Sequence, residues 1–243
     1  MKPTPVVFDI HGFGSSSFQQ LIYSKVSPVA DRETFIAVLP DGQGKPPHFN
    51  LGYNAPPGEG DDVVFMTDLL AKVSDQYCVD SRRVFATGMS NGGVMSSLLA
   101  CKASDKFAAF APVAVVVFTP ECGRGRPISI LAFKGTKDET VPYEGGVVNC
   151  CGNGIVPSTT SSMDGWATRA ECTVPAVESK IDDDVTLLSY GNCADGSEVA
   201  LYRIEGGGHT WPGSLDIPGL GYNTQNIDAI ELAWAFFKKH PLP

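Results

Sequence analysis

The chain is poor in histidine and in positive charge, and it lacks long apolar runs. Only four histidines occur among 243 residues, so few side chains can act as a general base near neutral pH. Lysine and arginine number 18 against 27 aspartates and glutamates, a net charge of -9 that argues against nucleic-acid binding. No apolar stretch approaches the roughly 20 residues that cross a bilayer, and no Asn-x-Ser/Thr sequence occurs. We therefore predict no membrane-spanning helix and no N-glycosylation.

The composition is typical of one globular domain. Hydrophobic residues make up 43% of the chain, and no repeat, low-complexity segment or linker interrupts it. A chain of this length can bury roughly three quarters of its unfolded surface. We predict a single domain over residues 1–243 that acts as a monomer, without membrane or nucleic-acid partners.

Seven cysteines favour an oxidising compartment, and none of their spacings is typical of a zinc site. A helix that runs back along the preceding strand would bring Cys101 to Cys78, and we predict that disulfide. Cys172 and Cys193 flank a segment that a second disulfide could close, and Cys122 could pair with either Cys150 or Cys151 in loops. Because the first residues do not form a leader peptide, secretion requires that a leader has been removed.

The sequence Gly88-Met89-Ser90-Asn91-Gly92 is typical of a nucleophile elbow. In such an elbow a strand turns sharply into a helix, and the residues two before and two after the serine must be small. Residues 82–87 have the pattern of a buried strand, and residues 94–100 that of an amphipathic helix. The sequence predicts Ser90 as a nucleophile, although the five-residue pattern also occurs by chance.

A nucleophilic serine of this type is followed along the chain first by an acid and then by a histidine. Of the two histidines after Ser90, His240 lies at the C-terminus, whereas His209 follows a strand-like run in a glycine-rich segment. Asp138 comes directly after another predicted strand, where α/β sheets build their sites. Glu139 is its close competitor. We predict His209 as the base and Asp138 as the residue that orients it; a solvated histidine and a turn-capping aspartate are the alternatives.

Two backbone N–H groups should stabilise the oxyanion that forms in the reaction. One is expected from Asn91, the residue after the nucleophile. The other is expected from Phe13, in the glycine-containing loop that follows a strand at residues 6–10. The aromatic residues Phe13, Trp211 and Tyr143 could hold an aromatic acyl group, or each could belong to the core or the wall of the cleft.

The chain resembles the feruloyl esterase and polyhydroxybutyrate depolymerase-type family of α/β-hydrolases, which is carbohydrate esterase family 1-like and includes acetyl xylan esterases. The similar motifs run nearly end to end: His11-Gly12, Leu39-Pro40-Asp41-Gly42, Asp61-Asp62-Val63, residues 78–84, residues 88–93, Gly135-Thr136-Lys137-Asp138, Val141-Pro142-Tyr143 and residues 208–213. The resemblance implies Ser90 as nucleophile, Asp138 as acid and His209 as base, with no metal and no organic cofactor. One departure is that the family has strands before the His-Gly strand. The sheet therefore lacks its first strands, or the sequence is trimmed.

The pattern of the chain predicts an α/β fold with a mostly parallel, doubly wound sheet flanked by helices. Strands are expected at 6–10, 35–39, 83–87, 111–118, 128–133 and 199–204. Helices are expected at 17–30, 61–77, 92–103, 159–170 and 226–239. A Pro/Gly-rich loop between residues 40 and 60, with His48, Phe49 and Tyr53, could wall the cleft. The acidic run 182–184 is expected to be a solvated turn.

These features predict a secreted serine carboxylic ester hydrolase. The resemblance favours hydroxycinnamoyl esters of plant cell-wall polysaccharide as substrates, so that ferulate is released. Polyhydroxybutyrate and acetylated xylan are the alternatives within the same chemistry. A catalytically silent, carbohydrate-binding protein and a peptidase on the same scaffold are alternatives of other classes.

Overall fold

Ten strands occur in the computed structural model, which describes residues 2–52, 60–151 and 154–243. Their bounds are Thr4–Ile10 (β1), Ile36–Val38 (β2), Val79–Met89 (β3), Ala109–Val113 (β4), Ser129–Gly135 (β5), Gly146–Val147 (β6), Ile155–Val156 (β7), Val174–Asp182 (β8), Val185–Gly191 (β9) and Val199–Ile204 (β10). Eight of them form one sheet in the order β2-β1-β3-β4-β5-β10-β9-β8, and β6 pairs with β7 separately.

The central part of the sheet is parallel. Strands β2, β1, β3, β4, β5 and β10 pair in parallel, and β9 and β8 add an antiparallel edge. Because parallel strands need crossover connections, helices lie between most of them along the chain. The predicted α/β class, with a mostly parallel sheet flanked by helices, is confirmed.

Helices cover both faces of the sheet. Their bounds are Ser17–Ser24 (α1), Val26–Glu33 (α2), Asp62–Gln76 (α3), Asn91–Lys102 (α4), Thr159–Arg169 (α5) and Ala229–Phe237 (α6). One core cluster joins α3, α4 and α5 to strand residues such as Val6 and Phe8, and the other joins α1, α2 and α6 to residues such as Val7. Alternate residues of β1 thus enter opposite layers, since successive side chains of a strand point to opposite faces.

Two predicted elements differ from the structure. The helix expected over residues 17–30 is split into α1 and α2 at Lys25, which has a left-handed φ of 57°. Pro28 explains the break, because in one continuous helix its ring would clash with the carbonyl of Ser24. The strand expected over residues 111–118 ends at Val113, where Ala114 has a φ of 64°. Val115 and Val117 leave the sheet and pack with Val141 in a small separate cluster.

The hairpin β8–β9 was not predicted. All but one of the nine residues of β8 are exposed, so the strand has no apolar alternation that would reveal it in the sequence. The acidic run lies at its tip, where Asp182 and Asp183 are exposed as expected. Asp184 instead accepts hydrogen bonds from Tyr222 and Asn226 and so holds the loop that follows β10.

The disulfides differ in part from the prediction. Cys172 is joined to Cys193 as predicted, but Cys101 is joined to Cys122, and the adjacent Cys150 and Cys151 are joined to each other. The predicted pairing of Cys101 with Cys78 is therefore wrong, and so is that of Cys122 with Cys150 or Cys151.

Element lengths explain why Cys101 does not meet Cys78. The 11 residues of β3 extend about 36 Å, whereas the 12 residues of α4 extend only about 18 Å. The end of α4 thus lies about halfway along β3, far from its first residues. There Cys101 meets the 3-10 turn Pro120–Gly123, which contains Cys122.

Among the described helices, none is long and apolar enough to cross a membrane.

Candidate active site

Ser90 lies in a sharp turn between β3 and α4. Its backbone has φ 56° and ψ -115°, a conformation that non-glycine residues rarely adopt. A Cβ added to Gly88 would lie 2.5 Å from the carbonyl oxygen of Ile10, and one added to Gly92 would lie 2.0 Å from it. Both glycines are needed because the backbone of the His-Gly strand passes directly against the turn. The geometry is that of a nucleophile elbow.

Asp138 and His209 meet at the same end of the sheet. Asp138 follows β5 and His209 follows β10, the neighbouring parallel strand. Nδ1 of His209 lies 2.8 Å from Oδ2 of Asp138, and both side chains are buried. The competing Glu139 is exposed. Since a carboxylate can only accept, Nδ1 donates and Nε2 is left as the basic nitrogen.

The segment that holds His209 is fixed by its neighbours. The N–H of Gly208 donates to the carbonyl of Tyr222, and the N–H of His209 donates to that of Leu220. These bonds and the burial of the glycine-rich segment hold His209 in place.

Four donors surround the carboxylate of Asp138. The backbone N–H groups of Thr140 and Val141 donate to Oδ1, and Oδ2 accepts from both His209 and the ammonium group of Lys134. Burial alone would raise the pKa of Asp138, but the hydrogen bonds and charges of His209 and Lys134 hold it below its ordinary value. Asp138 is therefore an ionised acceptor. Sequence reasoning missed Lys134, although a lysine at the end of an apolar strand was the available signal.

Ser90 and His209 line one cavity of about 380 Å³. Their side chains do not form a hydrogen bond in this structure. Hydrogen bonds of this kind are often long in the free enzyme and shorten when substrate binds. The arrangement can deliver an activated serine oxygen to a carbonyl carbon in the cavity.

The loop that follows β1 packs against the elbow. A Cβ added to Gly12 would lie 3.4 Å from Cβ of Ser90, so this loop is in contact with the nucleophile. Nδ1 of His11 lies 2.7 Å from the Gly12 carbonyl, and Nε2 of His11 accepts the N–H of Gly42 at 2.9 Å. These two partners require a neutral ring with the proton on Nδ1. Burial also lowers the pKa of His11, which favours the neutral form.

His11 fixes the orientation of the Phe13 N–H group. The Gly12 carbonyl and the Phe13 N–H belong to one planar trans peptide and point in opposite directions. Holding the carbonyl on His11 therefore aims the N–H away from His11. The Asn91 N–H lies in the first turn of α4, where helical N–H groups have no intrahelical acceptor. Of the two residues predicted as oxyanion donors, Asn91 directly follows Ser90 and Phe13 lines the same cavity as Ser90.

We expect His11→Ala to lower kcat for an ester substrate by about 100-fold, the usual cost of losing one oxyanion donor, with little change in KM. His11→Asn should recover part of that loss, because its amide nitrogen can replace Nδ1 as donor to Gly12. Steady-state kinetics of both variants test this expectation. Equal kcat values for wild type and His11→Ala would contradict it.

The side chain of Asn91 has a second role that the sequence did not reveal. Its Oδ1 accepts the N–H of Phe49 at 2.8 Å, and its Nδ2 donates to the Phe49 carbonyl at 3.1 Å. This pair of bonds ties the loop after β2 to the elbow.

The loop predicted to wall the cleft lies partly elsewhere. Phe49 is buried against His11 rather than lining the cleft, and the ring of His48 lies 5.3 Å from that of Phe13. Tyr53 of the same loop lies outside the described residues.

The three predicted aromatic contacts have different positions. Phe13 is partly exposed and lines the cavity. Trp211 does not: it is 1% exposed and belongs to the core under α1 and α6, where its backbone N–H donates to the hydroxyl of Tyr23. Tyr143 packs against the core cluster on the other face of the sheet and does not line the cavity. The predicted contact of Trp211 with substrate is therefore wrong, because its ring is buried, and that of Tyr143 stays a prediction without support from this cavity.

The cavity wall is built from segments far apart in sequence. Its apolar side chains come from the oxyanion loop, α1, the elbow and the loop after His209: Phe13, Ile22, Met89, Leu215, Ile217 and Leu220. Polar side chains on the α1 side are Ser15, Gln19, Gln20 and Tyr23. Gln20 is fixed by its bond to the buried Asp9, with Nε2 2.7 Å from Oδ1. Sequence reasoning missed these residues apart from Phe13, since only the fold brings them together.

Comparisons with known proteins show what the chain is similar to. The sequence profile of the prolyl oligopeptidase family matches residues 32–120. Feruloyl esterase B of Piromyces equi is 28% identical over 251 residues, which cover 100% of this chain and 43% of that protein. Feruloyl esterase D of Neurospora crassa is 29% identical over 262 residues, which cover 98% of this chain and 77% of that protein. The chain thus spans less than half the length of the Piromyces relative.

Similarity to solved structures identifies the fold. An acetyl xylan esterase from Aspergillus awamori superimposes with a TM-score of 0.70 at 14% identity, covering 97% of this chain and 89% of that one. The chain has the α/β-hydrolase fold. A thermostable esterase superimposes on this chain with a TM-score of 0.63 at 15% identity, covering 99% of this chain and 56% of that one. The resemblance to feruloyl esterases that the sequence predicted is confirmed by the curated relatives.

Proposed function

We propose that this α/β-hydrolase is a serine carboxylic ester hydrolase whose catalytic triad is Ser90, Asp138 and His209. One observation carries the proposal. Ser90, in a strained elbow, lines the same cavity as His209, and Nδ1 of that histidine is bonded to a buried, ionised aspartate. Serine, base and orienting acid in this relation define acyl transfer chemistry.

The reaction proceeds in two halves. Ser90 Oγ attacks the ester carbonyl carbon while Nε2 of His209 takes the hydroxyl proton, and the resulting oxyanion accepts hydrogen bonds from the N–H groups of Phe13 and Asn91. The intermediate collapses to an acyl-enzyme as His209 returns the proton to the departing alcohol. Water, deprotonated by His209, then attacks the acyl carbon, and the acid leaves as Ser90 regains its proton. Asp138 stabilises the imidazolium in both halves.

The favoured substrate is a hydroxycinnamoyl ester of plant cell-wall polysaccharide, from which ferulate is released. The curated relatives named above are feruloyl esterases. The cavity supports this choice because an apolar wall suits a phenylpropenoyl group, and Gln19, Gln20 and Tyr23 offer hydrogen-bond partners for ring substituents. An acetyl group would leave most of that wall without contact. Acetyl xylan and polyhydroxybutyrate remain the alternatives, the first because a bifunctional acetylxylan esterase/xylanase of Neocallimastix patriciarum is 24% identical.

A peptidase is the second candidate function, because the matching profile is that of the prolyl oligopeptidase family. That match ends at residue 120, before both Asp138 and His209. The full-length similarity to esterases therefore outweighs it. We further propose that residues 1–243 form one secreted, monomeric catalytic domain, since the three disulfides suit an oxidising compartment.

Initial rates with four substrates test the proposed function. We expect the protein to hydrolyse methyl ferulate with a higher kcat/KM than para-nitrophenyl acetate or a hydroxybutyrate oligomer, and not to hydrolyse a prolyl para-nitroanilide. A preference for the acetyl ester would instead support an acetyl xylan esterase, and a preference for the oligomer would support a polyhydroxybutyrate depolymerase. Cleavage of the anilide alone would favour the peptidase, and no hydrolysis of any ester would contradict the proposal.

A further inference from the structure

Lys134 is a buried cation in the site that no step of the proposed mechanism uses. It is the penultimate residue of β5 and only 2% exposed. Its ammonium group donates to Oδ2 of Asp138 and, at 2.6 Å, to the carbonyl of Val141. A lysine is rarely buried unless it is paired, and here the pair is with the triad acid itself.

The ammonium group and the imidazole share one oxygen atom. Lys134 and His209 both donate to Oδ2 of Asp138, while the backbone of Thr140 and Val141 supplies Oδ1. The carboxylate is therefore held from three sides before His209 is considered. An imidazolium at His209 would therefore lie beside a carboxylate whose charge Lys134 already neutralises. It would also lie next to the positive charge of Lys134 itself.

We propose that Lys134 is a positioning residue of the triad: its ammonium group holds the Asp138 carboxylate in place for His209 and puts a positive charge beside the imidazole. This inference rests on the proposed function for its kinetic consequence. Its electrostatic part concerns His209 alone and can be measured without a substrate. A nearby positive charge disfavours a second one, so removal of the Lys134 charge should favour protonation of the neighbouring imidazole.

The other charged and titratable groups near His209 do not replace Lys134. On segments packed against the histidine, Lys137, Glu139 and Asp216 are exposed to solvent, which screens their charges. The ammonium group of Lys25 donates to the carbonyl of Gly213. Tyr23 is neutral in the pH range concerned, because burial raises its pKa above the ordinary value. Lys134 is thus the buried cation in direct contact with the Asp138–His209 pair.

The direct test is the NMR titration of His209 in protein labelled at histidine, with the signal assigned from a His209→Gln variant. In Lys134→Met the uncompensated carboxylate favours the imidazolium, and we expect the titration of the His209 signals to move to higher pH than in the wild type. Lys137→Met is the matched control, an exposed lysine three positions along, and should leave the titration unchanged. An unchanged His209 titration in Lys134→Met would overturn the proposal.

The kinetic test is the pH dependence of kcat/KM for an ester, whose acidic limb reports the free base. That limb should move to higher pH by the same amount in Lys134→Met, and Lys134→Arg, which keeps the charge, should restore it. Lys134→Gln separates charge from hydrogen bonding and should shift the limb as Met does. If Lys134→Gln folds with the wild-type limb, or if Lys134→Arg folds with the limb of the neutral variants, the proposal is wrong. A wild type without esterase activity would refute the proposed function but leave the NMR result standing.

Discussion

Ser90→Ala should lose ester hydrolysis almost completely, with kcat lower by on the order of 10⁵-fold. The reason is that the acyl-enzyme cannot form without the Ser90 hydroxyl, and the cavity and the oxyanion N–H groups retain only the small rate of a water reaction. Substrate binding should persist, because removal of one oxygen atom leaves the apolar wall intact. Initial rates at saturating methyl ferulate, with KM measured in parallel, check this expectation.

Ser161→Ala is the matched control for that experiment. Ser161 is an exposed serine in the first turn of α5, away from the cavity, so its loss should leave kcat unchanged. The Ser90→Ala protein should have the melting temperature of the wild type or a higher one, because the Ser90 hydroxyl adds little to the stability of this strained turn. Full activity in Ser90→Ala would show that another residue is the nucleophile.

Gly92→Ala should disrupt the elbow itself. The added Cβ would lie 2.0 Å from the carbonyl oxygen of Ile10 and 2.8 Å from that of His11, and neither backbone group can retreat without moving the oxyanion loop. We expect the free energy of unfolding to decrease by about 3 kcal/mol, as for other overpacked sites, and turnover to become slower by roughly 100-fold or more. Chemical denaturation and steady-state kinetics measure the two effects.

Gly60→Ala serves as the control for Gly92→Ala. A Cβ on Gly60 meets no atom of the described residues within 4 Å, so stability and kcat should both stay near wild type. If Gly92→Ala keeps wild-type stability and turnover, the close packing of the elbow against the His-Gly strand does not have the role assigned to it here.

The proposed triad could be predicted from sequence because each of its residues is marked by the residues next to it in the chain. The elbow requires glycines at fixed spacing around Ser90, and strand ends in a parallel sheet collect at one edge, which brings Asp138 and His209 to the same place. The parallel strands were predictable for the same reason, since buried apolar runs such as residues 6–10 carry their own signal.

The remaining features depend on tertiary packing. Trp211 follows His209 closely in sequence, yet the segment passes beneath α1 and buries the ring. The partner of Cys101 depends on the relative lengths of α4 and β3, which spacing along the chain does not express. The cavity wall combines Ile22 with Leu215 and Ile217, which are far apart in sequence. The burial of Lys134 is explained only by its contact with Asp138, which the fold creates. Edge strand β8, with its exposed side chains, has no periodic pattern to predict it.

Labelling with a fluorophosphonate, followed by intact-protein and peptide mass spectrometry, tests the central claim most directly. A serine activated by His209 attacks the phosphorus and is phosphonylated, whereas an unactivated serine is not. The account predicts a single adduct, located on Ser90, that forms in the wild type and is absent from Ser90→Ala and His209→Gln. An adduct on another residue, or no adduct on folded wild-type protein, would contradict it.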